Sequence, residues 1–196
     1  MNRLSNEHRL LIRTARGHNA SARAFWAMYA PRLLAYIRAL LASQNAQSQA
    51  EDVLQGVMCK VLKVQTFRLR QIKSVDAWLF AVSRSVALNH LRGERREFSR
   101  RKHFRPAEAL NEPMPPSSHE LVRRSVEALE PEDAEIVTLR YVAGLTFGEI
   151  GELVGLPRST VACRHERALK KLREALGLEE LEEESGTGIL GEVSHG

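Results

Sequence analysis

The residues best equipped for chemistry are cations and short polar groups crowded near the C-terminal end: Arg158, Ser159, Thr160, Cys163, Arg164, Arg167, Lys170 and Lys171. Guanidinium and ammonium groups neutralise phosphate, and hydroxyls reach base edges, so this chemistry is non-covalent recognition of a polyanion. A second set lies upstream: Arg68, Arg70 and Lys73 surround Phe67, Leu69 and Ile72, and Arg84, Ser85, Asn89, Arg92, Arg95 and Arg96 follow. A third set, Glu51, Asp52 and Gln55, is acidic and amide. No Gly-rich phosphate loop, nucleophile-base pair or metal-ligand cluster accompanies them, and the seven histidines are scattered, so neither an enzyme nor a cofactor or metal is expected. Cys59 and Cys163 stand far apart, which disfavours a disulfide framework.

Apolar residues recur at helical spacing without strand-like alternation, and the predicted fold class is all-α. Leu10, Leu11 and Ala15 mark a first helix that Gly17 and Asn19 end. A second carries Phe25, Trp26 and Tyr29 as far as Pro31, a boundary or kink because proline cannot donate to the helix ladder. A third holds Leu33, Leu34, Ile37, Leu40 and Leu41, and residues 43–49 form a loop. Ser48 and Glu51 stand in the S-x-x-E relation of a capping box, which would be the main job of Glu51. Behind it Val53, Leu54, Val57, Met58, Val61 and Leu62 form one stripe, with Asp52, Gln55, Gly56, Cys59 and Lys60 on or near the other face. Residues 65–73 then read as a basic loop, and Ser74 or Asp76 caps a helix with Trp78, Leu79, Val82, Val86 and Leu91 on its apolar side; Trp78 belongs to the core rather than to a stacking platform.

Cations dominate residues 92–105, and Pro106, Pro113, Pro115 and Pro116 break the helical pattern, so 98–119 is a flexible linker between a unit at 8–97 and one at 120–176. The stretch 177–196 is acidic and then Gly- and Ser-containing, a disordered tail that could mask the basic surface in cis. In the second unit Pro131, Glu132 and Asp133 open a helix with Ile136, Val137 and Leu139 inward, and Gly144 stops it. Thr146 and Glu149 form a capping box for the short helix from Phe147 to Val154, Gly155-Leu156-Pro157 turns the chain, and 158–176 follows: a helix-turn-helix. On its second helix Val161, Ala168 and Leu172 face inward, with Leu169 and Leu176 near them. Ser159, Thr160, Cys163, Glu166, Arg167 and Lys170 face outward. His165, on the inner side, is predicted to be a hydrogen-bonded boundary histidine.

The formal net charge of +5 agrees with a polyanionic partner. With charges at Arg3, Glu7, His8 and Arg9 and no apolar run of membrane-spanning length, a cytoplasmic protein without membrane insertion is expected.

The run from Thr146 to Val161, followed by Arg164, Arg167-Ala168 and Lys171-Leu172-Arg173, resembles the promoter minus-35 reader of bacterial sigma-70 family factors. Ala50-Glu-Asp-Val-Leu-Gln55 resembles that family's polymerase-binding helix, and Ala77-Trp78-Leu79, Arg84 and Leu91-Arg92 resemble its minus-10 helix. The blocks keep the family's order across a linker too short for an additional middle domain, which is the layout of the extracytoplasmic-function (ECF) group. The resemblance spans roughly 8–97 and 120–176 and implies a factor that directs promoter-specific transcription initiation. It implies that Glu51, Asp52 and Gln55 grip the clamp helices of the largest subunit of core RNA polymerase, that the flap of the second-largest subunit is also a partner, and that an anti-sigma factor controls the protein. It assigns Arg68, Arg70, Lys73, Arg84, Ser85, Asn89, Arg92, Arg95 and Arg96 to minus-10 DNA, and the cations and polar groups of 158–171 to minus-35 DNA. Gly56 and Met58 depart from the usual Glu and Phe, and a mid-helix glycine costs about 1 kcal/mol. Ser85 and Asn89 stand where Asn and Asp are usual, which puts base preference in question. The alternative, a helix-turn-helix regulator that never touches core polymerase, leaves residues 50–55 and the segment around Trp78 without a role.

Overall fold

The computed structural model describes residues 5–42, 46–100 and 118–178, with side chains at 95–100 and 118–120 left aside. Most of the expected linker, most of the acidic tail, and the side chains of Arg95 and Arg96 therefore lie outside the described residues.

Helix α1 (Asn6–Ala15) starts on Ser5, whose hydroxyl accepts the His8 amide, and the chain leaves it through Gly17 at φ +79°. Helix α2 (Asn19–Ala42) corrects the expected break at Pro31 by running straight through it. Phe25, Tyr29, Leu33, Tyr36, Ile37 and Leu41 share one fully buried face, so ending the helix would forfeit more apolar burial than the proline costs. Pro31 and Ala27, whose carbonyl loses its donor, are both on the solvent side, where water can take over.

Helix α3 (Ala50–Lys63) follows a 3-10 turn at Gln47–Gln49. The cap is Gln49 and makes no side-chain bond to the helix, so the Ser48–Glu51 box does not form: Ser48 sits one residue too early. Gln49 Oε1 instead pairs with His90 Nε2 at 2.5 Å. The stripe is corrected too, since Val53, Val57 and Val61 are buried but Leu62 is 47% exposed. The supposed basic loop contains helix α4 (Thr66–Leu69), and Leu69 is fully buried: a core anchor hidden among cations. Helix α5 (Val75–Arg100) begins on Ser74, which accepts the Ala77 amide at 3.2 Å. Gly56 lets α3 lie close to α5, because a Cβ there would stand 3.2 Å from Val86 Cγ1.

The second unit comprises α6 (Ser118–Glu127), α7 (Pro131–Tyr141), α8 (Phe147–Val154) and α9 (Arg158–Leu176). Pro131 occupies the first turn of α7, and Thr146 and Glu149 form the reciprocal capping box of α8. Gly155 turns the chain at φ +79°, and a Cβ on Gly151 would lie 2.6 Å from the Leu156 carbonyl oxygen, so the tight turn requires glycine at 151. No strand occurs among the described residues. Helix α7 packs on α2, and Ile136, Leu139, Ala143, Leu145, Ile150 and Val161 join the apolar cluster built by α1 to α5. The two helical units are thus in contact, a juxtaposition to which no local sequence pattern points.

Candidate nucleic-acid interface

Helix α9 buries Val161, His165 and Ala168 and turns Arg158, Ser159, Cys163, Arg167, Lys170 and Lys171 to solvent, with Thr160 and Arg164 half-buried. These outward groups are not equally available. Arg167 makes a forked contact with Asp133, Nε to Oδ2 at 3.1 Å and Nη2 to Oδ1 at 2.8 Å, and Asp133 is fully buried. Such bidentate pairs fix geometry as well as charge. These bonds and the Asp133 charge keep the Arg167 pKa above its ordinary value. Arg164 pairs with Glu132 and lies 3.8 Å from Asp133. Lys170 makes only a loose contact with Glu174 at 3.8 Å. Arg158 and Lys171 have no ion pair among the described residues, and they bracket the exposed Ser159 and Cys163.

His165 corrects its expectation. It is buried beneath Tyr141 and Phe147, with ring centroids 5.6 and 5.0 Å away, and its Nε2 has no hydrogen-bond partner among the described residues. Burial, and then the charge of Arg140, hold its pKa below the ordinary value.

On α5, Ser85, Asn89 and Arg92 form an exposed ridge at i, i+4, i+7, and Arg92 donates to Asn89 at 3.1 Å. Lys60 of α3 joins this ridge, its Nζ 3.3 Å from Ser85 Oγ. Sequence reasoning put Lys60 on the outer side of its helix but gave it no role, since only the α3–α5 packing brings it there. Arg84 is not part of the ridge. It turns towards the second unit and binds Glu135, Nε to Oε1 at 2.9 Å and Nη2 to Oε2 at 3.4 Å. Burial works against its charge, but the bonds and charge of Glu135 more than offset that and leave its pKa raised. Arg68, Arg70 and Lys73 gather before α5 instead; Arg68 lies over the exposed Phe67 ring, and Arg70 and Lys73 line a cleft of about 470 Å³ with Glu7, His8 and Asp76.

Helix α3 presents Glu51, Asp52 and Gln55 to solvent opposite its buried valines. Among the described residues Glu51 is engaged only by Arg38 at 3.4 Å, with both side chains largely exposed. Further along the helix, the exposed Leu62 ends this face with an apolar group.

Residues 25–97 match the family description Sigma-70 region 2, and residues 126–174 match Sigma-70, region 4. The chain is 31% identical over 160 residues to the RNA polymerase sigma factor CarQ of Myxococcus xanthus, covering 80% of this chain and 90% of that one. It is 25% identical over 172 residues to the ECF RNA polymerase sigma factor RpoE of Cereibacter sphaeroides, covering 84% and 92%. Its fold is shared with CnrH, solved in complex with the cytosolic domain of CnrY, at TM-score 0.57 and 18% identity over 89% of this chain and 99% of that one. The sigma factor RpoE of Bartonella quintana, solved with the anti-sigma factor NepR, shares it at TM-score 0.58 and 19% identity over 80% and 99%.

Proposed function

This chain belongs to the sigma-70 family of RNA polymerase sigma factors, in the ECF group, and from that premise we propose a division of work among its helices. The exposed face of α3 docks on core polymerase: Asp52 and Glu51 offer carboxylates to basic clamp-helix side chains of the largest subunit, and Gln55 and Leu62 extend the contact. The Ser85-Asn89-Arg92 ridge, with Lys60, meets minus-10 DNA, and Arg68, Arg70 and Lys73 guide the opened strand, since unpaired strands are held by cationic grooves and ring faces. Helix α9 enters the major groove at minus-35, with Arg158 and Lys171 on phosphates and Ser159, Thr160 and Cys163 near base edges. An anti-sigma protein is the natural regulator, by analogy with the Bartonella quintana relative.

The observation that carries this reading is that α3, inside the stretch matching region 2, buries Val53, Val57 and Val61 while exposing Glu51, Asp52 and Gln55 to solvent. Run-off transcription with purified core polymerase tests it. Wild-type protein is expected to direct promoter-specific transcripts, Asp52→Lys to lose core association, and Arg158→Ala with Lys171→Ala to keep core binding but lower transcript yield from all promoters alike. Arg167 is unsuited as a DNA-contact control, because its removal also strips Asp133 of its partner. Failure of the wild-type chain to join core polymerase would overturn the reading.

A further inference from the structure

Among the described residues, the acid at position 135 has no side-chain partner within its own unit. Glu135 is 8% exposed, and its carboxylate is satisfied entirely from across the interface: Tyr36 Oη donates to Oε1 at 2.7 Å, and Arg84 donates to both oxygens. A charge buried to that degree requires such partners. Two residues earlier on the same helix, Asp133 faces the other way and serves Arg167 of its own unit. Other polar contacts also bridge the units. Arg32 of α2 donates to the carbonyls of Val142 and Ala143 at 2.9 and 2.8 Å, just past the C-terminal end of α7, and holds Asp76 at 2.7 Å. The apolar part of the contact is incompletely filled: a void of about 70 Å³ lined by Ala39, Ala42, Leu129, Pro131 and Ala134 remains between α2 and the second unit.

We propose that the packed arrangement is a self-masked state in which Glu135 acts as a latch: it occupies Arg84 and Tyr36, and polymerase or promoter must displace it before Arg84 can reach a phosphate. This rests on the reading of Arg84 as a DNA contact. A phosphate and the Glu135 carboxylate compete for the same guanidinium, and the ion pair cancels the positive charge that would attract the duplex, so the closed chain binds promoter weakly on its own. Arg32 and the shared apolar cluster also join the units, but Glu135 is the contact that ties up Arg84, and the latch therefore opens by exchange of one anion for another.

The native cysteines allow a direct test, since Cys59 and Cys163 are both exposed and sit one in each unit. Spin labels on both give the distribution of distances between the units in the full chain without polymerase. Glu135→Gln is expected to spread that distribution to longer distances and to strengthen binding of unlabelled protein to promoter duplex about tenfold, the equivalent of one charge-assisted hydrogen bond. Tyr36→Phe, which removes one bond from the latch, should give about a threefold gain. Arg84→Ala in the Glu135→Gln background should cancel the gain in DNA affinity while the distances stay long. If Glu135→Gln melts cooperatively yet keeps the wild-type distances and affinity, the latch is wrong; should that variant fail to fold, unchanged distances in Tyr36→Phe overturn the latch equally. Wild-type run-off transcription reads the sigma function separately, so either idea can fail without the other.

Discussion

The two helical units of this chain are held together by different physics. The first is an apolar core: Phe25, Tyr29, Leu33, Tyr36, Ile37, Leu41, Leu69, Leu79 and Phe80 are all within 1% of complete burial. The second has a buried cluster of its own made of Leu129, Ala134, Val137 and Ala168, with no aromatic ring. To that small cluster it adds directed contacts: the Asp133–Arg167 fork, the Thr146–Glu149 box, and the backbone approach that only glycine permits at 151. Much of the apolar surface this small unit buries lies against the first unit, in Ile136, Leu139, Leu145, Ile150 and Val161, so directed contacts supply what its own core does not. Damage to the first unit should therefore track lost volume, and damage to the second should track lost angles, bonds and protons.

The largest expected effect is Phe25→Ala. Removing a fully buried ring that packs edge-on to Trp26 at 5.1 Å and against Tyr29 at 4.7 Å should cost about 3–5 kcal/mol in urea-induced unfolding. A loss below about 1 kcal/mol would mean the first unit does not depend on its core as described. Next is Gly151→Ala, which adds one methyl group 2.6 Å from a main-chain oxygen that cannot swing aside. The expected cost is about 1–3 kcal/mol, with faster amide exchange confined to α8 and α9 and weaker promoter binding. Exchange that rises equally in α2 would show the two units unfolding as one and would erase the distinction. Thr146→Ala follows at about 1 kcal/mol, since the Glu149 amide loses its acceptor while the Thr146 amide keeps the Glu149 carboxylate. Thermal melts of the pair Thr146→Ala and Thr146→Ser check it, the serine variant being expected to recover most of the loss.

What could be read from residues alone divides along the same line. The helix-turn-helix was legible because its signals are short-range: Pro131, the Thr146–Glu149 box and Gly155 each act within a turn or two of chain. The same kind of local pattern misled at Ser48–Glu51, where the Gln49–His90 contact and a 3-10 turn set a different cap. Pro31 misled for the converse reason, because a long buried face overrode a local break. The exposed groups of α3 followed from periodicity, whereas the exposure of Leu62 and the burial of Leu69 depend on what packs beside them. Arginines were the hardest to assign. Arg167 and Arg84 look alike as free cations, and only partners 34 and 51 residues away distinguish them from Arg158 and Lys171.

The smallest expected effect tests the second unit's polar character through the protonation of one buried histidine. His165 lies under Tyr141 and Phe147, with Arg140 disfavouring its protonation and Glu166 weakly favouring it. Its folded pKa is lowered from 6.5, so below pH 6.5 and down to that folded value the unfolded chain binds the proton and the folded chain does not. Stability therefore rises with pH across this window and falls as the solution is acidified through it. His165→Phe keeps a flat ring between the two aromatic neighbours and sacrifices no bond at Nε2, which has no partner among the described residues. The difference in unfolding free energy between wild type and this variant should accordingly shift in the variant's favour from pH 7.5 to pH 5.5, whatever the other histidines contribute to both. Parallel pH profiles for the two proteins would mean that His165 is charged or solvated in the folded state, and that the recognition helix rests on a wet and polar floor.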